Sequence, residues 1–294
     1  MALSERSAID DPEQKGATRS VAAPREIVYR HARLIRVTHW INVLCLTLLL
    51  MSGLRIFNAH PALYWGNYGY AGLPSFISIS GDFDDVTGRN VGVTRIGSYS
   101  FDTTGFLGVN RKADGTEAET AFPVWATLGP GLGGARDWHF LAAWMLVANG
   151  ALYVLYGLIS GHFRRDLAPS AGELRPRHIL HDIWNHLRLR APRGEAARRY
   201  NVLQKLAYLA VVFVALPVMV LTGLTMSPAV TAAMPFLFDV FGGRQSARTI
   251  HFIAANLIVL FVLVHVAEIM LSGAFNLMRS MITGRYAIRP ERAR

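Results

Sequence analysis

The chain has almost no cysteine. Cys45 is the single one in 294 residues and sits inside an apolar run, which excludes a disulfide framework, a CxxCH attachment site for covalent haem and a thiolate-held iron-sulfur cluster. Any redox centre must take other ligands. Charge is scarce as well: Asp, Glu, Lys and Arg make up 17% of the residues and hydrophobic side chains 52%, against about 25% and about 45 to 50% in an average soluble domain. Acidic residues are the scarcer kind, 20 against 30 Lys and Arg, for a formal net charge of +10. That excess suits either nucleic acid or an anionic membrane face. A removable export signal is not expected, since the polar, mixed-charge N-terminus runs to about Pro24 without a short apolar run and small-residue cleavage site. The first long apolar run is therefore expected to remain as an anchor.

What the chain has instead is four long uncharged blocks: Val37 to Leu54, Trp138 to Phe163, Leu206 to Phe238 and Thr249 to Ala267. A spanning helix needs about 20 apolar residues to cross a hydrocarbon core of about 30 Å. The blocks predict an all-α membrane protein, a four-helix transmembrane bundle with helices near 36–57, 138–161, 203–226 and 249–271. The third block is too long for one span, and Ser227-Pro228 marks its stop, because proline supplies no backbone donor.

The connecting segments differ in basic content. Residues 1–36 carry seven Lys or Arg, residues 162–201 nine Arg, and the stretch from Ser272 onward five Arg, whereas residues 58–137 hold five basic and eight acidic residues. The positive-inside rule then puts both termini and the middle loop in the cytoplasm. Arginines that flank spans on one side argue against nucleic acid as a partner. The extracytoplasmic loop 58–137, rich in Gly, Asp, Thr and aromatics, reads as a small cap of strands or turns. In the cytoplasmic loop, Ile179, Leu180, Ile183, Trp184 and Leu187 form one stripe among arginines, the pattern of an amphipathic helix lying on an anionic leaflet. Residues 1–24 read as a disordered cytoplasmic N-terminus, 25–285 as the membrane domain and 286–294 as a basic tail.

Four of the ten histidines fall in the spans: His39, His139, His251 and His265. Ionisable side chains in a bilayer are costly and tend to be functional, although each one taken singly fits an interhelical hydrogen bond as well as a ligand bond. Topology tests them jointly. His39 lies near the inner face and His139 near the outer, while on helix 4 His251 lies near the outer face and His265 deeper. The depths pair His139 with His251 and His39 with His265. The fourteen residues from His251 to His265 correspond to about 21 Å and nearly four full turns, so the two imidazoles leave helix 4 on similar faces. Two axial imidazoles at one depth, with arginines near the surface for propionates, suit a b-type haem. Arg36 stands beside His39, and Arg136, Arg244 and Arg248 stand beside His139 and His251, with Arg55 a further candidate; ordinary interfacial anchoring explains each arginine equally well. Zinc fits less well, since each depth offers two nitrogens and no third ligand.

Other polar positions carry weaker signals. His178, His181 and His186 offer an HxxH spacing on the amphipathic helix, where solvated histidine is the commoner outcome. His31 and His162 lie at the inner interface, where a quinone pocket or a propionate is the functional alternative to a surface role. Glu268 follows His265 by three residues and neighbours it on the helix, as a proton relay or an interfacial charge. Asn149 and Asn256 are expected to tie helices together. Helix 3 has no histidine, carries Pro217 and Gly223, and is expected to close the bundle.

On RVTHW in helix 1, RDWHF and NGALYVLYGLISGHFRRDL through helix 2, YNVLQKLAY and LTGLTMSP in helix 3, and GGRQSARTIHF with VLVHV in helix 4, the chain resembles the four-helix, two-haem cytochrome b family. Its members are membrane subunits of thiosulfate reductase, formate dehydrogenase and Ni/Fe-hydrogenase, and the thiosulfate-reductase type is the nearest likeness. The resemblance implies that His39, His139, His251 and His265 are axial ligands of two haems b and that a quinone is handled near the inner haem. It also implies a periplasmic partner, often a molybdopterin oxidoreductase, and a place in a bacterial inner membrane. The long outer loop departs from the compact hydrogenase and formate dehydrogenase subunits. Two other readings stay open at this point: a self-contained haem enzyme passing electrons from quinol to a small oxidant, and a haem-free anchor or transporter.

Overall fold

The computed structural model describes residues 26–70, 72–112, 114–188 and 201–288. The expected disordered segment 1–24 and most of the basic tail lie outside the described residues. In chain order the elements are β1 (Ile27–Tyr29), α1 (Arg33–Ala59), β2 (Ala62–Leu63), β3 (Ile77–Asp84), β4 (Arg89–Ile96), β5 (Tyr99–Asp102), β6 (Gly108–Arg111) and β7 (Glu117–Thr120). There follow α2 (Gly131–Ile159), α3 (Pro176–Leu187), α4 (Val202–Ala210), α5 (Leu216–Met226), α6 (Pro228–Ala233), α7 (Phe236–Phe241), α8 (Arg244–Thr283) and β8 (Arg285–Ala287). The most apolar windows of the four long helices have mean hydropathies of 1.6 to 2.4, and at most 17% of any window is buried within the protein. Apolar side chains left facing outward on this scale need hydrocarbon as their solvent.

The third span runs unbroken from Val202 to Met226, joined across a π-helical turn at Val211–Ala215. Asn201 starts it with a capping box, its Oδ1 accepting from the Gln204 backbone N–H at 2.8 Å. The π-turn lies just before Pro217, which cannot bond to the carbonyl four residues back, and the widened turn absorbs that loss. Ser227 and Pro228 end the span at Met226. Two helices exceed their apolar blocks. α2 begins at Gly131 instead of near 138, through a glycine-rich turn that reads as loop by propensity yet buries Ala135 completely. α8 begins at Arg244 because helix and apolar block are different things: the carbonyl of Gly66 accepts from the N–H groups of Gln245 and Ser246 at 3.0 and 3.1 Å and so satisfies the exposed first turn.

α8 also runs past 271, bending at Gly273, whose φ of 109° is open to glycine. The bent segment returns to the base of α1. Trp40 Nε1 donates to the Met281 carbonyl at 3.1 Å, and an Arg36 guanidinium N–H donates to the carbonyl of Ile282. β1 then pairs antiparallel with β8, Val28 opposite Tyr286. Asn149 ties α2 to α1, donating to the Thr38 carbonyl at 2.8 Å and to Asn42 Oδ1 at 2.7 Å. Asn256, expected to act likewise, instead donates to Phe252 one turn back on its own helix.

Residues 60–122 build a cap of a four-stranded antiparallel sheet, β2-β3-β4-β5, and a β6-β7 hairpin. Phe57, Leu63, Ile79 and Ala121 form its core, with Phe252 packed on them from α8. Polar groups fix the join: Asn58 and the Phe122 backbone exchange two hydrogen bonds of 2.7 and 2.9 Å, Thr249 Oγ1 donates to the Tyr64 carbonyl at 2.7 Å, and Arg248 donates to the carbonyls of Ala62 and His60. Gly243 (φ 106°) sits where a Cβ would lie 2.6 Å from the Gly66 carbonyl oxygen. Gly243→Ala is accordingly expected to cost about 1 to 3 kcal/mol for the strained backbone alone, read as faster proteolysis of the cap in detergent relative to wild type.

At the opposite end, where β1, β8 and α3 gather, Lys205 Nζ donates to both carboxylate oxygens of Glu173 at 2.8 and 3.0 Å, and Glu173 also accepts from the Ser170 N–H at 2.7 Å. These bonds hold the Glu173 carboxyl down to about 2. A carboxyl depressed in the fold stabilises it above the ordinary value near 4.5 and loses that contribution as pH falls through about 2. Amide exchange in residues 170–175 is expected to speed up as pH drops from 4.5 towards 2, relative to the intrinsic rate, and Glu173→Gln is expected to remove this pH dependence.

Candidate functional site

The four span histidines gather into two facing pairs at two levels of the bundle. At the cap end, His139 of α2 and His251 of α8 have ring centroids 6.3 Å apart. At the termini end, His39 of α1 and His265 of α8 have centroids 6.4 Å apart. Imidazole binds a metal at about 2 Å and its nitrogen lies about 1.1 Å from the ring centre, so centroids about 6 Å apart suit two imidazoles sharing one metal ion. Among the described residues no group of three or more His, Cys, Asp or Glu side chains could hold a metal ion. Two nitrogens per level therefore favour a metal whose remaining ligands come from a macrocycle.

The two levels differ in their surroundings. At the cap end, His139 Nδ1 lies 3.0 Å from Ser52 Oγ of α1, and His251 Nδ1 lies 3.0 Å from Thr222 Oγ1 of α5. Both hydroxyls are fully buried. The next residue is glycine in each case: a Cβ on Gly53 would stand 3.5 Å from His139 Cε1, and one on Gly223 would stand 3.6 Å from His251 Cε1. At the termini end the rings meet aromatic faces. His265 stacks on Phe261 at 5.9 Å and meets Tyr208 edge-on at 6.5 Å, and His39 meets Trp40 at 5.5 Å.

The arginines fall less uniformly. Arg36, one turn from His39, keeps a buried Nε with no hydrogen-bond partner, a donor suited to a carboxylate. Arg248 is engaged with the cap carbonyls and lies over Phe57. Arg136 and Arg244 are exposed beside Phe140 and Phe238. His162 is buried at the termini end, its Nδ1 2.7 Å from Asp166 Oδ2 and its ring 6.3 Å from Tyr153. His31 is buried beside α1, and burial with the neighbouring Arg30 lowers it to about 4, so it is neutral at physiological pH. His178 lies 3.8 Å from Asp182 on α3.

A family model described as prokaryotic cytochrome b561 matches residues 30–284. The chain belongs to the prokaryotic cytochrome b561 family. Cytochrome b561 membership makes it a multi-pass membrane protein, a haem-binding electron-transfer subunit whose haem is of the b type. It is also 30% identical over 247 residues to the putative protein-methionine-sulfoxide reductase subunit YedZ1 of Azospira oryzae, a match covering 84% of this chain and 93% of that protein. No solved structure matches it.

The residues present fit the group this cytochrome b561 family implies. Each level offers two imidazoles at a suitable separation, the glycines leave the space beside His139 and His251 free, and Arg36 offers an orphaned donor at the termini end. Ser52 and Thr222 were not legible as site residues one by one. A repeat could have found them: Ser52-Gly53-Leu54 matches Thr222-Gly223-Leu224, and Arg136-x-x-His139-Phe140 matches Arg248-x-x-His251-Phe252.

Proposed function

We propose that this chain carries electrons between a periplasmic oxidoreductase, of the molybdopterin kind, and the quinone pool, on two b-type haems. His139 and His251 hold the outer one and His39 and His265 the inner one, within a di-haem domain spanning residues 25–285. The observation that carries this reading is the pairing of the four span histidines at 6.3 and 6.4 Å on two levels. Bound haem supplies a one-electron iron couple at each level.

The protein's own groups do the rest. Arg36, with its buried unpaired Nε, would hold a propionate of the inner haem, and the exposed Arg136 and Arg244 would neutralise charge at the outer one. Glu268 places a carboxylate one turn from His265, where quinone chemistry exchanges protons with the cytoplasm. The His162–Asp166 pair borders the same region. Arginine-rich segments at the termini end support an orientation with both termini in the cytoplasm of a bacterial inner membrane. There α3 lies on the anionic leaflet, with Leu180 and Trp184 exposed for lipid. The YedZ1 likeness supports a catalytic partner that reduces a sulfoxide, in which case quinol and sulfoxide yield quinone, sulfide and water, and electrons flow outward.

The test is stoichiometry. Protein purified from membranes is expected to contain two haems b per chain by pyridine haemochrome, with reducible Soret and α bands. A haem-free preparation from haem-replete cells would return the chain to the anchor or transporter reading.

A further inference from the structure

We infer that Ser52 and Thr222 are positioning residues for the cap-end centre: their hydroxyls hold both imidazoles as Nδ1–H tautomers, leave Nε2 as the ligating nitrogen, and make this centre electronically distinct from the termini-end one. The inference rests on the di-haem reading above and concerns what tunes it.

Ser52 Oγ lies 2.6 Å from the Leu48 carbonyl oxygen, and Thr222 Oγ1 lies 2.6 Å from that of Val218. A carbonyl cannot donate, so each hydroxyl gives its hydrogen to the helix backbone four residues back. The oxygen is then left to accept. The 3.0 Å contacts with His139 Nδ1 and His251 Nδ1 must be imidazole N–H groups donating to oxygen. With Nδ1 protonated in a neutral ring, the lone pair resides on Nε2.

Both hydroxyls are wholly buried, so water does not compete with them, and the backbone carbonyls of Leu49 and Met219 stand beside the same rings as further acceptors that favour the same tautomer. Each is followed by a glycine whose missing side chain leaves the ring free to settle against the helix. The clamp occurs twice, once on α1 for the histidine of α2 and once on α5 for the histidine of α8. The two halves of the bundle thus present matching arms to one centre. At the termini end, among the described residues, no serine or threonine hydroxyl bonds to His39 or His265, and the rings are bounded by Phe261, Tyr208 and Trp40.

Hydrogen bonding at the distal nitrogen makes an imidazole a stronger electron donor to its metal. Two such bonds favour the oxidised iron at the cap end, and their removal raises its midpoint potential.

The experiment uses the full chain in detergent, with Ser52→Ala, Thr222→Val and the double variant beside Ser52→Thr and Thr222→Ser, which keep the hydroxyl. Haem per chain, a spectroelectrochemical titration and the low-temperature EPR of the ferric centres are read, and His251→Ala identifies which wave belongs to the cap end. The expected result is an upward shift of the cap-end wave in each hydroxyl-free variant, larger in the double, with altered low-spin g values. The termini-end wave stays in place, and the hydroxyl-retaining variants match wild type. Loss of the cap-end haem alone in Ser52→Ala, with both haems kept in Ser52→Thr, also supports the inference. Unmoved waves in the double variant, equal movement of both waves, or equal effects in variants with and without the hydroxyl overturn it while the di-haem reading stands. A wild type without haem overturns that reading itself.

Discussion

His251→Ala is expected to halve the haem content, from the proposed two per chain to one, and to abolish electron exchange with the proposed periplasmic partner. The effect is large because, among the described residues, His139 and His251 are the two imidazoles that face each other at this level, and a b-type haem bound without a covalent link depends on such ligands. His139 remains 3.0 Å from Ser52, so the surviving imidazole stays anchored and a partly filled, five-coordinate site is the alternative product. Pyridine haemochrome and the EPR of the oxidised protein separate the two, since a five-coordinate centre is high-spin. Two intact low-spin haems in the variant would remove His251 from the site.

His265→Ala tests the other level and the direction of the path together. The termini-end haem is expected to be lost while the cap-end one remains, leaving one haem per chain as before. The kinetics should differ sharply. In His251→Ala the remaining haem is expected to accept electrons from a short-chain quinol at close to the wild-type rate. In His265→Ala, quinol reduction of the remaining haem should fall by at least about a hundredfold, although dithionite reduces it fully. About 21 Å of helix rise separates the two levels, and electron transfer over such a span without the intervening carrier is slow. Equal quinol reactivity in both variants would place the quinone elsewhere.

The spans were legible because lipid imposes a coarse requirement, some twenty uncharged residues, which four blocks of this sequence meet. The third span falls within one residue of its expected start and stops at the expected Ser227-Pro228. The ends of α2 and α8 were not legible, because they are decided by contacts remote in sequence. The Gly66 carbonyl starts α8 five residues early, and Gly273 lets it continue past its apolar block. The depths of His39, His139, His251 and His265 follow from the direction of each helix and its rise per residue, and the structure sets their rings in the same two couples. Ser52 and Thr222 escaped because a hydroxyl in an apolar helix ordinarily bonds to its own backbone. Both do so here, and their second contact depends on how the helices are juxtaposed. The arginines illustrate the opposite limit: Arg248 sits one turn from His251 as the spacing requires, yet its guanidinium is engaged by the cap.

Both couples draw one histidine from α8. During synthesis, α1 and α2 leave the ribosome long before it, carrying His39 and His139 without their counterparts. β1 likewise waits for β8. Neither couple is complete until the helix that begins at Arg244 has been made, so on the proposed reading a chain ending short of that point would offer one imidazole at each level in place of two.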